Sequence, residues 1–342
     1  MTTEDRARKA LALAEKAKNE LKGLDARVWL DRVEDQNQEI ESALSWFLDH
    51  GRSDDALFLA VALYDFWRLT GRTAEGQSWI DRALAAGGND GRLRAEGLYR
   101  SGLLAFWQGH DDSARLSYER SLEIARRLND PTAIAVALVG VARVELRQGN
   151  LDEARSMCAQ ALQVVEGTDD KDGRSNALHV LAVTAQMRGD LEEARDRMTQ
   201  RMQLAREQGN FGGVAVEAGN LSHVERRLGN LVRARQLAVE ALQIARRRGD
   251  EWMIPYALSA LAACAIELKQ FTRAAEVLGA AAQMVEAQGA AWPPDEAPIF
   301  EQSKDAVSRA LGPTEFGAAW SAGRARPVSA AVDYALAGEL EA

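Results

Sequence analysis

Residues 149–194 read GNLDEARSMCAQALQVVEGTDDKDGRSNALHVLAVTAQMRGDLEEA. The stretch opens and closes on one phrase, Gly149-Asn150-Leu151 and Gly189-Asp190-Leu191, forty positions apart. The phrase recurs at the same spacing on both sides, as Gly109-His110-Asp111, Gly229-Asn230-Leu231 and, more loosely, Lys269-Gln270-Phe271. Five residues into each segment stands a small residue: Ala114, Ala154, Ala194, Ala234 and Ala274. Eight further on come Leu122, Leu162, Met202, Leu242 and Ala282, and upstream of the turns lie Gly102, Ala142, Ala182, Ser222 and Ala262. An internal period of this length marks a repeat architecture, in which each unit is one supersecondary element.

Each half of the unit carries apolar residues at i, i+3, i+4 and i+7, the pattern of an amphipathic helix. The turn glycine is suited to a left-handed C-cap that ends the first helix. The Asn or Asp after it is expected to cap the second. The in-register small residues mark where two helix backbones approach too closely for a larger side chain. The unit is therefore an antiparallel helical hairpin, and a single hairpin leaves two apolar flanks uncovered. Neighbours must cover them. The expected fold is all-α, a right-handed α-solenoid of tetratricopeptide-like hairpins with repeats of about forty residues.

Outside 91–290, which hold the five regular repeats, the period loosens. Gly71-Arg72 with Gly76, Trp79 and Leu84 fits the same turn and second helix. A helix pair is expected over 35–50 and 53–70, joined at Gly51-Arg52-Ser53, and a leading helix over 5–23, stopped by Gly23. Residues 1–90 thus form N-terminal helices and first hairpins. After Gln288-Gly289 the pattern breaks, and shorter helices near 296–311, 313–321 and 328–339 read as a cap over 291–342. All prolines except Pro131 and Pro255 lie beyond residue 290, so the repeats are almost free of the strongest helix breaker.

The composition, 46% hydrophobic and 27% charged, is that of an ordinary folded chain. A formal charge of −9 with both signs interspersed argues against a nucleic-acid partner, whose phosphates demand a basic stripe. Arg226-Arg227 and Arg246-Arg247-Arg248 fall at expected helix C-termini, where they complement the helix dipole. Cys158 and Cys264 are too far apart in sequence for a zinc ribbon or a C-x-x-C redox pair, and read as buried small hydrophobes. The charged N-terminus is not a signal core, and the longest apolar run, Ala133 to Ala142, is half a membrane span ended by Arg143. A cytoplasmic chain without membrane contact is expected.

Several segments resemble the C-terminal tetratricopeptide-like sensor region of large bacterial signal-transduction ATPases that regulate transcription. These include relatives of the maltose-operon activator, LuxR-type ATP-binding regulators and antibiotic regulatory proteins. The residues that carry the resemblance are Trp29-Leu30-Asp31-Arg32, Ala43-Leu44-Ser45-Trp46, Phe66-Trp67 and Glu75-Gly76 with Trp79 to Leu84. Toward the other end they are Ala274 to Ala281, Pro293-Pro294, Ala319-Trp320 to Gly323-Arg324, and Ala331 to Leu336. Gln36 to Glu41 departs from the Glu…Asn-Leu-Arg pattern usual in that group. There is no G-x-x-x-x-G-K-[ST] phosphate loop and no assignable DNA-binding segment. The resemblance implies a sensor or protein-interaction arm, acting with an ATPase encoded separately or acting alone.

No catalytic motif was found, and no cofactor or metal is expected. Asp170, Asp172 and Gly173 mimic part of a calcium loop, but Thr168 and His179 stand where its first and twelfth ligands belong. His50 and His110 sit at helix ends as capping or solvated residues. In tetratricopeptide arrays the first helices line the concave surface. On that basis the groove-facing candidates are Trp107, Arg143, Asn176, His179, Gln186, Asn220, His223, Arg226, Arg227 and Tyr256. Arg, Asn, His and aromatic side chains together suit an anionic peptide, a carboxylate or a sugar. The expected function is a non-enzymatic scaffold or sensor that binds a protein, a peptide or a small effector. The alternative is a structural adaptor, a homo-oligomer that self-associates without a ligand groove.

Overall fold

The computed structural model describes residues 2–337, and among them the regular structure is helical throughout. Two compact units meet between Leu181 and Ala182. The first holds α1 (Thr3–Glu20), α2 (Ala26–Glu34), α3 (Asn37–Asp49), α4 (Ser53–Ala62), α5 (Tyr64–Leu69) and α6 (Thr73–Ala85). It continues with α7 (Arg92–Trp107), α8 (Asp111–Arg127), α9 (Pro131–Arg147), α10 (Leu151–Val164) and the first part of α11 (Lys171–Arg188). The second holds the rest of α11, α12 (Leu191–Glu207), α13 (Phe211–Arg227), α14 (Leu231–Arg248), α15 (Ile254–Glu267), α16 (Phe271–Ala287), α17 (Glu296–Arg324) and α18 (Val328–Ala337).

The helices are tetratricopeptide-like hairpins in the register that the forty-residue period predicts. In the first unit α7 packs on α8, α8 on α9 and α9 on α10. In the second, α12 to α17 pack each on the next. Successive first helices also touch, α7 with α9 and α13 with α15. The recurring alanines are sealed: Ala114, Ala154, Ala194, Ala234 and Ala274 are all 0% exposed. Tyr118 shows why the upstream position must be small. Its ring lies between Gly102 of α7 and Gly140 of α9, and a Cβ on Gly102 would come within 2.7 Å of Cε1. A ring filling that gap joins three helices at once.

The turns are left-handed at Gly109, Gly149, Gly189 and Gly229 (φ 79–89°). In the second of these the Asn150 N–H donates to the Glu145 carbonyl and the Gly149 N–H to the Leu146 carbonyl, the paired bonds of a Schellman closure. Lys269 holds the equivalent position at φ 61° without glycine's freedom. The expected Asn and Asp caps are not made at these turns. Asn150 and Asn230 instead turn Nδ2 back to Glu145 and Glu225, each at 2.7 Å. The tight turn puts a carboxylate beside the amide before the next helix can claim it. Burial works to raise the Glu145 carboxyl, but bonds from Arg115 and Asn150 outweigh it and hold it below the usual range. Side-chain capping occurs instead between hairpins, where Asp130 accepts from the Ala133 N–H and Asn210 from the Gly213 N–H.

The N-terminal part departs from expectation in three places. The leading helix ends at Glu20, short of Gly23. An unforeseen helix, α2, buries Ala26, Leu30 and Val33. The segment 53–70 bends at Leu63 into α4 and α5, which turns Phe66 and Trp67 inward. Trp67 packs on Gly76 of α6, where a Cβ would lie 2.6 Å from its own Cβ. At the other end, α17 runs to Arg324 across a kink at Gly312, so the two helices expected near 296–311 and 313–321 are continuous in sequence but not in direction. Residues 338 and 339, expected to extend α18, lie outside the described residues. Arg248 does more than face a helix dipole: it is 1% exposed, with its Nε 3.8 Å from Asp250.

The last hairpin and its cap meet backbone to backbone. A Cβ on Gly279 or on Gly323 would collide with the main chain of the opposite helix, at Trp320 and Glu276 respectively. Main chain cannot swing aside, so Gly323→Ala is expected to lower stability by about 1–3 kcal/mol. Gly317→Ala, a helical site with open space around it, should change stability by less than about 1 kcal/mol. Urea unfolding of both variants checks the contrast, and equal midpoints would remove the close crossing. Lys269→Gly should raise stability by about 1 kcal/mol through relief of the left-handed lysine. A lowered urea midpoint in that variant would contradict the turn geometry.

Candidate functional site

The sequence places its candidates on first helices, and the structure distributes them unequally. In the first unit Trp107 ends α7 and Arg143 lies on α9, with its guanidinium 5.8 Å from the Trp107 ring centroid. Both are half-buried. Arg143 Nε makes no hydrogen bond. Arg100, which the pattern missed, stacks 4.5 Å from the centroid of Tyr64, and burial pushes the Tyr64 hydroxyl up despite Arg68 and Arg100. Arg147 lies 3.8 Å from the Phe106 centroid and bonds Asp111 at 3.1 Å. These arginines lie over aromatic rings within cation–π distance, which helps to hold each cation in place. Asn176 and His179 are half-buried on α11. Asp170, from the calcium look-alike, accepts from the Gly173 N–H at 2.9 Å and so caps the start of that helix.

The second unit brings several candidates together. Glu217, Asn220 and His223 recur every three residues on α13, so they share one face. All three are buried, at 0%, 7% and 1% exposure. Glu217 is neutralised by Arg201 of α12. His223 Nε2 lies 3.3 Å from Glu296 Oε2 at the start of α17. Beside it Asp295 is also buried, and burial together with the Glu296 charge raises its carboxyl to about 7, against the pull of His223. Tyr256 of α15 is 4% exposed, with Trp252 at 4.8 Å and Trp292 at 5.4 Å between ring centroids.

Several of these polar groups are poorly met. Neither ring nitrogen of His223, nor Glu296 Oε2, Asn220 Nδ2 or Gln186 Oε1, takes part in a hydrogen bond. A buried polar atom left in this condition costs on the order of 1–3 kcal/mol. Such a cluster is the kind of surface that gains from a hydrogen-bonding guest.

Arg226 and Arg227 are placed otherwise. Arg226 reaches Glu267 of α15 at 2.9 Å, and exposed Arg227 donates to the Gln186 carbonyl at 3.2 Å. They tie first helices together at the edge of the face. Sequence reasoning did not find Glu217, Trp252, Trp292, Asp295, Glu296 and Phe300. The last four stand where the forty-residue register ends, so no repeat position assigned them a direction. Trp292-Pro293-Pro294-Asp295-Glu296, an aromatic and two acids around a stiff turn, was their one visible signal. Cys158 is a sealed hydrophobe whose thiol burial pushes up to about 12.

Comparison with known proteins supports the repeat reading. A tetratricopeptide repeat family model matches residues 133–207. Tetratricopeptide repeat protein 36 of Bos taurus is 42% identical over 66 residues, 19% of this chain, and the match spans 33% of that protein's own length. The crystal structure of a Rap protein complexed with competence and sporulation factor superposes with a TM-score of 0.57 at 15% identity, covering 98% of this chain and 99% of that one. The Rap conjugation gene regulator of plasmid pLS20, in complex with the Phr* peptide, gives a TM-score of 0.56 at 12% identity over 89% and 97% of the two chains. At such identities the likeness is one of fold: this chain is an all-α, tetratricopeptide-like helical-repeat protein.

Proposed function

We propose that the chain is a non-enzymatic scaffold or sensor that binds a protein or peptide partner on its first-helix faces, in bacterial signalling or transcriptional control. The observation that carries this reading is the second unit's cluster of buried polar side chains, with several atoms that make no hydrogen bond, beside an aromatic wall. Proteins normally satisfy such groups, and a guest offering backbone or side-chain hydrogen bonds would do so. The arginines over aromatic rings in the first unit add cations already held in position. Both Rap structures that share the fold were solved with a bound factor or peptide, which supports the same use here.

The resemblance of the two ends to the sensor arms of ATP-dependent regulators gives this reading its setting, a sensor or protein-interaction arm. No described helix is long and apolar enough to cross a membrane. The exposed large apolar side chains, Val28, Leu116, Leu128, Val232, Leu268 and Val328, are dispersed along the chain and do not favour self-association as the main role.

Peptides selected from a random library on the purified chain provide the test. Arg143→Ala, which removes the cation beside Trp107, and Arg226→Ala, which removes the one paired with Glu267, are expected to weaken a selected peptide about tenfold in at least one case, or about 1.4 kcal/mol. Isothermal titration reads the change. Affinity untouched by both substitutions would remove the first-helix faces from the account.

A further inference from the structure

The chain leaves the helical pattern at Gly289 and re-enters it at Glu296. The strap between them contacts the second unit in two ways. The Trp292 ring stands at 86° to Tyr256 and stacks on Phe300 at 4.3 Å and 21°. Four residues later Glu296 reaches His223 of α13. An aromatic side chain and two carboxylates thus bracket Pro293-Pro294 and sit on the first helices of two successive hairpins. The Pro293 carbonyl accepts the Glu296 and Ala297 N–H groups at 3.1 and 2.9 Å, which launches α17 directly from the strap. Two prolines with fixed φ stiffen the short turn-forming segment, so little entropy is lost when it is seated.

The two kinds of contact are unequal. The aromatic half is closely stacked. The polar half leaves His223, Glu296 Oε2 and Asn220 Nδ2 without hydrogen bonds, and sets two carboxylates side by side in the interior. The charged and titratable groups that face Asp295 are Glu296 beside it and His223 and Glu217 of α13, the last neutralised by Arg201 of α12. Stacking and the His223 contact hold the strap down, while the burial and crowding of its own two carboxylates work against it. The α13 face has more hydrogen-bonding capacity than the strap uses.

We propose that Trp292–Glu296 is a built-in occupant of this face, and that the partner it takes is a peptide of the same chemistry, an aromatic residue followed within a few positions by carboxylates, which binds by displacing the strap. The inference rests on the reading of the first-helix faces as a peptide site and names its ligand class. Without the strap the face presents His223 and Asn220, with Arg226 one turn on and Glu217 already paired, a setting that favours an incoming carboxylate. A tethered segment competes at an effective concentration of about millimolar, so free peptide binds poorly until the strap is weakened. The exchange is also linked to protons. Seated, Asp295 titrates near 7; released, it returns toward 3.8. Seating therefore takes up a proton, is favoured as pH falls below about 7, and gives way as pH rises through that value.

A fluorescein-labelled peptide with the sequence of 291–297, Ala-Trp-Pro-Pro-Asp-Glu-Ala, is titrated by anisotropy against the full chain and against the double variant Trp292→Ala, Glu296→Gln. Binding at least about tenfold tighter to the variant, and lost again when His223→Ala is added, is expected. Equal affinity for both chains, or no binding to a variant whose circular dichroism is native, overturns the proposal. Hydrogen exchange of the unmodified chain covers the case of a variant that fails to fold. Amides of 290–296, corrected for intrinsic rate, should open more readily at about pH 8 than at about pH 6, and equal protection overturns the proposal as well. Library peptides that depend on Arg143 but ignore the strap substitutions would sink this inference and leave the broader function standing.

Discussion

Everything in this molecule follows from how closely its helices approach one another. Where two helices pack most closely only a small side chain fits, and the chain supplies alanine, glycine or serine at the recurring position of the five regular hairpins. Because the condition repeats at constant sequence spacing, within each unit a helix packs on the next in the same register, and the side chains between the contacts are carried to fixed stations. Dispersion at these dry seams is individually small, but it accumulates along every helix pair and falls steeply with separation. Function is written on the residues that the seams leave over.

That division explains what could be read from the chain before its structure. The five hairpins were legible because each small residue, turn glycine and apolar partner recurs and supports the others. The irregular entry was not: α2 and the bend at Leu63 have no counterpart forty residues away, and tertiary packing of Phe66 and Trp67 outweighs the local helical pattern there. The asparagines after the turns were assigned a capping role by their type. They serve a neighbouring glutamate instead, since a buried carboxylate that has lost water competes more strongly for the amide than a helix end in solvent.

The candidate face was half legible. Asn220, His223 and Tyr256 were found from register alone, and the structure gathers them in one unit with groups that register could not reach. Trp292, Asp295 and Glu296 arrive from a segment outside the period, so their position depends on how the cap folds back. Arg100 was overlooked because its value lies in the aromatic ring beneath it, a three-dimensional fact. Arg226 and Arg227, expected on the same face, bond Glu267 and the Gln186 carbonyl and so join one first helix to the next.

The crossing at Gly279 and Gly323 also bears on how such a chain can grow. Tandem duplication lengthens a repeat protein by slipping in another unit, and the unit must find matching flanks on both sides. α16 has spent its outer flank on α17 at main-chain contact, leaving no room for an interposed helix there. Additional hairpins can enter only upstream, between seams that share one spacing, so the sequence beyond Phe271 is tied to its neighbour and would be inherited as a single block.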